Sequence, residues 1–179
     1  MNHSYTRASD AVSAYAVSTR AFLQQAVDHY PRLAAFSFTL KLPYRETMSE
    51  YRSLILRFHT EVWQRTGEYS RQRQQARQSS PPTILRWMWE SASAPDCRMV
   101  LMMNLDTLGA ARDESAQQAM RKIIRNAWLS VTGSEHHGIT PIIINRAVRR
   151  TFRSPFNQLR TQVQSMAAPI STARTGIVC

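Results

Sequence analysis

Cysteine is nearly absent. Cys97 and Cys179 are the only two in 179 residues, too few for a disulfide framework or a four-cysteine metal centre. Glycine and proline are sparse as well, at 5 and 8, which excludes collagen-like and low-complexity chains. With 43% apolar residues the chain can close a core instead. No apolar run approaches the ~18 residues that span a bilayer, and the opening MNHSYTRASD has no apolar stretch behind its charges, as a secretory signal would. The expectation is a cytoplasmic protein with no membrane partner. The phosphate-cradling patterns GxxxxGKS/T and GxGxxG and the nucleophile pattern GxSxG are all missing, so no cofactor is expected. Lysine and acid are scarce too: 21 of the 23 basic residues are arginine, and 12 acidic residues leave a net charge of +11. No acid at all follows Glu135, whereas Arg146, Arg149, Arg150, Arg153, Arg160 and Arg174 do. Guanidinium forks grip phosphate or carboxylate through paired bonds, so a basic end of this kind points to nucleic acid or an acidic protein face.

What remains is patterned. Val12, Tyr15, Ala16, Phe22, Leu23, Ala26 and Val27 recur at helical spacing before Pro31, which predicts an N-terminal helix over residues 9–29. Residues 34–42 switch to period two, with Phe36, Phe38, Leu40 and Leu42 on one face, and predict a strand. Thr47 and Glu50 form a capping box before a helix built on Tyr51, Leu54, Ile55, Phe58, Val62 and Trp63 that runs toward Ala76. Its second half carries Arg71, Arg73 and Arg77 among glutamines, an arm that projects from the core or frays and faces solvent in either case. Pro81 and Pro82 end it. ILRWMWE and CRMVLMMNL then read as two strands of a hairpin, with Leu85, Trp87 and Trp89 in the core beside Leu101 and Met103. A helix from Asp113 to Gly133 and a strand in GITPIIINRA follow. Ser154 and Pro155 start a short helix through about Met166, and the tail past Pro169 is expected to be loose. The order is an α+β fold of the split βαβ type, βαββαβ. Its antiparallel sheet carries two helices on one face, with further helices at both termini. The chain divides into an N-terminal helix (1–30), the core domain (31–150) and a basic C-terminal helix with its tail (151–179).

Residues 83–106, TILRWMWESASAPDCRMVLMMNLD, resemble a region of the inovirus Gp2-like family, relatives of the rolling-circle initiators that nick DNA with a tyrosine and a cation held by a His-hydrophobic-His pair. Arg86 and Glu90 match that family's Arg-x-x-x-Glu strand, Leu101 to Met103 its aliphatic run and Asn104 its asparagine, and the likeness covers about residues 35–150. Counting back from Asn104 puts Asp96 and Arg98 where the histidines would stand, and an arginine has no lone pair for a metal. No histidine lies between His59 and His136, and no tyrosine follows Tyr69. The resemblance therefore implies a scaffold without nicking chemistry, no catalytic residues and no metal.

Other candidates carry less. Glu135, His136 and His137 form a cluster, but adjacent histidines on a loop point apart and nothing nearby completes a triad of ligands. Cys97 beside Arg98 reads as a strand cysteine more readily than as an activated thiol. Trp87, Trp89, Phe36 and Phe38 make either a buried face or, on an open sheet, a platform for stacking bases; their alternation favours burial. Two functions follow. The resemblance extends to the packaging-redirecting proteins of phage satellites, which implies a non-catalytic regulator in a bacterial host that binds a phage small terminase subunit and redirects DNA packaging. The charge alone fits equally a DNA-binding replication or regulatory protein that kept binding and lost nicking. Both readings place the partner on Arg71, Arg73 and Arg77 or on Arg146, Arg149, Arg150 and Arg153, and both leave self-association open.

Overall fold

In the computed structural model, which describes residues 21–43, 47–89, 96–109, 114–133, 138–145, 149–164, 166 and 170–174, the alternating segment RLAAFSFTLK forms the central strand β1 (Arg32–Lys41). Before it, residues 21–29 are helical (α1) and stop ahead of Pro31. After it, α2 (Met48–Gln75) opens on the predicted capping box. The Glu50 amide donates to Thr47 Oγ1 at 3.3 Å, and the Thr47 amide donates to Glu50 Oε2 at 3.0 Å. Then come β2 (Ile84–Trp89), β3 (Asp96–Asn104), a 3-10 turn at Leu105–Thr107, α3 (Glu114–Thr132), β4 (Thr140–Asn145), α4 (Arg149–Gln164) and β5 (Ile170–Arg174).

The sheet order is β4-β1-β3-β2-β5 and every pair is antiparallel. Register fixes the core, because residues directly opposite share a face. Phe36 pairs with Leu101, and Leu101 with Trp87, so one line of large side chains crosses three strands. Onto this face pack Tyr51, Leu54, Ile55, Phe58 and Val62 of α2 and Ala116, Met120, Ile124, Ala127 and Trp128 of α3. The α+β, split βαβ architecture with two helices on one face is thus present. The terminal helices have a job that periodicity did not reveal: they cover the other face. Leu23, Ala26 and Val27 of α1 with Leu159 and Val163 of α4 lie over Leu33, Ala35, Met88, Val100, Met102, Ile142 and Ile144. The sheet is the middle layer of three.

Two expectations need correction. The tail past Pro169 is not loose throughout, since Ile170–Arg174 pairs along β2 as an edge strand. The ladder groups of β2 need partners, and backbone pairing leaves no apolar signature to read in advance. Nor does the last helix begin at Ser154 and Pro155. It starts at Arg149 and holds Pro155 inside it, where a proline cannot bond to the carbonyl of residue 151 and its ring crowds that carbonyl. A boundary at 150/151 cuts through α4, and the segment after it belongs to the sheet and the second core.

The end of α2 is intact and tied down. Its last turn closes in a Schellman motif: the Gln78 amide donates to the Arg73 carbonyl at 2.8 Å and the Arg77 amide to the Gln74 carbonyl at 3.0 Å. The left-handed residue is Arg77, at φ 58°, where glycine is usual. Arg77→Gly is therefore expected to raise stability by about 0.5–1 kcal/mol in urea unfolding. A glycine variant less stable than the parent would show that the Arg77 side chain contributes more than its backbone costs.

Candidate functional site

The described family-motif positions, Arg86, Asp96, Arg98 and Asn104, share the face of the sheet on which α1 and α4 pack. Arg86 stands opposite Met102 on β3, so Arg86, Met88, Arg98, Val100, Met102 and Asn104 point the same way. Arg86 and Asn104 come together at one end. Arg86 is 5% exposed; its Nη2 donates to His29 Nδ1 at 2.8 Å, and its guanidinium carbon lies 5.8 Å from the centre of the Tyr30 ring. Burial pulls the pKa of Arg86 below its ordinary value, with Tyr30 acting in the opposite direction. Arg86 Nη1 is buried with no hydrogen-bond partner among the described residues. Asn104 is a structural cap: its Oδ1 accepts from the Asp106 amide at 3.1 Å, and its own amide donates to Thr83 Oγ1 at 2.8 Å. Asp106 in turn pairs with Arg32.

Arg98 lies at the far end of β3, opposite Thr39 and roughly 13 Å along the strand from Met102, at ~3.3 Å per residue. Asp96 is exposed and opposite Lys41. The motif is thereby split into two places. Glu90 and the Glu135, His136 and His137 cluster lie outside the described residues. Among the described residues no three His, Cys, Asp or Glu side chains gather where they could hold a metal ion. Cys97 is buried, on the α2–α3 face.

Of the arginine arm, Arg71 is exposed and pairs with Glu68 one turn back, and Arg77 is exposed at the helix stop. Arg73 departs from the expected solvated run. It donates from Nε and Nη2 to the Ser79 carbonyl at 3.2 and 3.0 Å, lies 5.9 Å from the Tyr69 ring centre and packs on Gly109. There it clips the loop after α2 against the turn after β3. A hydroxyl relay reinforces this clip: Ser80 Oγ donates to the Thr107 carbonyl at 2.8 Å, and Thr107 Oγ1 to the Pro81 carbonyl at 2.6 Å. Arg149, Arg150 and Arg153 belong to the first turns of α4, a helix without an acidic residue, and Arg146 lies outside the described residues.

The aromatic face is closed. Phe36, Phe38, Trp87 and Trp89 are 0–4% exposed beneath α2 and α3 and offer bases no platform. Periodicity missed a feature of the outer surface instead. Leu56 is 53% exposed, on the solvent side of α2, in an open groove of about 720 Å³ shared with Ser130 and Val131 of α3. Arg52 and Arg57 line the same groove, and Glu61 there is held by Arg65 Nε at 3.1 Å. The signal was available, because Leu56 falls off the stripe of Tyr51, Leu54, Ile55, Phe58 and Val62 and is apolar all the same.

Fold and surface together define an α+β protein with a split βαβ sheet packed on both faces by helices, with an arginine-rich, acid-free sequence in α4 and an exposed leucine in the groove between α2 and α3. The chain matches the family described as Uncharacterised conserved protein UCP030791 over residues 7–137, most of its length, and belongs to that family. No curated protein and no solved structure matches it. Among the described residues no helix is long and apolar enough to cross a membrane.

Proposed function

We propose that the chain is a non-catalytic regulator of phage DNA packaging, an adaptor that binds a phage small terminase subunit through the outer faces of its helices. The observation that carries this reading is the groove between α2 and α3. A leucine half out of the protein, in a groove that Arg52 and Arg57 also line, suits an acidic amphipathic helix of a protein partner, whose apolar ridge would cover it. A phosphate chain has nothing to offer Leu56. The filled second face supports the same reading: Met88, Val100 and Met102 lie under α1 and α4, so binding falls to the helices. Arg98, standing where the resembling nicking enzymes keep a metal ligand, agrees with a scaffold relieved of catalysis. The identity of the partner comes from the resemblance to packaging-redirecting proteins.

The test is complex formation between the purified chain and small terminase subunits of phages that share its host, read by gel filtration and by titration. Leu56→Asp is expected to weaken the complex about tenfold or more without altering the melting temperature, because a central apolar contact is replaced by a desolvated charge. The parent complex is expected to survive moderate salt. Failure of every small terminase subunit to bind, or a complex indifferent to Leu56→Asp, counts against the adaptor.

A second reading, direct DNA binding, has its own support in α4, which carries Arg149, Arg150, Arg153 and Arg160 and no acid. Under it, replacing Arg149, Arg150 and Arg153 with alanine flattens the slope of log affinity against log salt by roughly three phosphate contacts. Tight DNA binding with that slope, and no terminase partner, would replace the adaptor.

A further inference from the structure

A cavity of about 420 Å³ opens at the end of the sheet face that α4 leaves uncovered, lined by Ser37, Thr39, Arg98, Thr140, Gln162 and Met166. The register assembles it. Ser37 of β1 is opposite Thr140 of β4, and Thr39 is opposite Arg98 of β3, so four polar side chains from three strands share one patch. The last turn of α4 brings Gln162 to it, and buried Met166 supplies an apolar wall. The composition is that of an anion site. Among the described residues its lining holds one guanidinium, three hydroxyls and a carboxamide, and no carboxylate; Asp96, two residues along β3, stands in the register opposite Lys41. Thr39 and Thr140 are exposed and leave an entrance, whereas Arg98 and Gln162 are partly buried, which shields the charge and strengthens any bond made to it. The volume lies within the range of small-molecule pockets, roughly 300–1,000 Å³, and is more than a bare phosphate fills.

We propose that this cavity binds a small phosphate monoester. The phosphate lies against Arg98 with the Ser37, Thr39 and Thr140 hydroxyls donating to its oxygens, and the esterified group rests on Met166. Guanidinium with hydroxyls is the set that recognises a dianionic oxyanion through charge-assisted bonds. The site stands apart from the groove on α2 and does not depend on the packaging reading.

Calorimetric titration of the full chain with inorganic phosphate and with adenosine monophosphate tests it. Saturable binding is expected for both, tighter for the monophosphate. Arg98→Gln is expected to lower the affinity about tenfold or more, by removing the fork and its charge. Thr140→Val, on an exposed strand start, is expected to lower it severalfold and to leave the melting temperature unchanged; it carries the test should Arg98→Gln fail to fold. Absence of saturable binding by either ligand, or affinity untouched in both variants, overturns the proposal. Binding of a single-stranded oligonucleotide with none of the monophosphate also overturns it, since the site would then serve a nucleic-acid backbone.

Discussion

Trp87→Ala is expected to cost about 3–5 kcal/mol in urea unfolding, a large part of the stability of an ordinary domain. Trp87 is fully buried at the centre of the sheet. Its indole lies flat against the His59 imidazole, with centroids 3.9 Å apart and planes 12° from parallel, and meets Phe58 edge to face at 5.7 Å. Phe58 passes the contact on to Trp128 of α3 at 5.4 Å and to Phe38 of β1 at 6.1 Å. Truncation to alanine therefore opens a void beneath both helices at once, and rings locked edge to face cannot collapse into it. Trp87→Phe separates packing from polarity. The indole Nε1 has no hydrogen-bond partner among the described residues, so losing that N–H forfeits no bond, and the phenylalanine variant is expected to cost less than half as much. An alanine variant that melts within about 1 kcal/mol of the parent would mean that this cluster is not what holds α2 and α3 to the sheet.

The two faces of the sheet were unequally legible in the sequence. On the α2–α3 side, Phe36, Phe38, Leu40 and Leu85, Trp87, Trp89 alternate with other residues and announce a buried face. On the other side the run CRMVLMMNL is apolar at nearly every position. That is what burial on both faces looks like, yet it reads equally as one strand of a simple hairpin. A gradient along each strand was the more informative signal. Leu33, Ala35, Ser37 and Thr39 pass from apolar to polar along one side of β1, and Met102, Val100, Arg98 and Asp96 do the same along β3. The register sets these gradients side by side, so the second core ends where the polar cavity begins. In the sequence Arg98 shows only what it cannot do, which is to hold a metal. Its neighbours Ser37, Thr39 and Thr140 come from strands far apart in sequence, and only strand pairing brings them together. The Arg73 clip and β5 were invisible for a related reason, because both rest on backbone carbonyls and amides that every residue carries.

His59 is expected to make the protein acid-labile. It lies on α2 at 6% exposure, stacked on Trp87 and 5.0 Å from Trp89, with its Nε2 unpartnered among the described residues. Burial pushes its pKa from 6.5 down to about 3, so the folded protein keeps the imidazole neutral at any pH where it is handled. The sign follows from linkage. Above 6.5 neither state binds the proton and His59 contributes no pH dependence. Between 6.5 and about 3 the unfolded chain binds it and the folded chain does not, so stability falls as pH falls. The slope is about 1.4 kcal/mol per pH unit, and the loss across the window approaches 4–5 kcal/mol. An imidazolium on the Trp87 face would recover part of that through attraction to the ring, which brings the expected loss to about 3–4 kcal/mol. His59→Phe keeps a ring against Trp87 and removes the titration. Unfolding free energies of parent and variant, compared from about pH 7 to about pH 4, should therefore diverge by one proton per molecule. Carboxylates titrate alike in both proteins and cancel in the difference. Parallel curves for the two would mean that His59 takes up its proton in the folded state as readily as in the unfolded one, and the closed aromatic layer between α2 and β2 would have to be open to water.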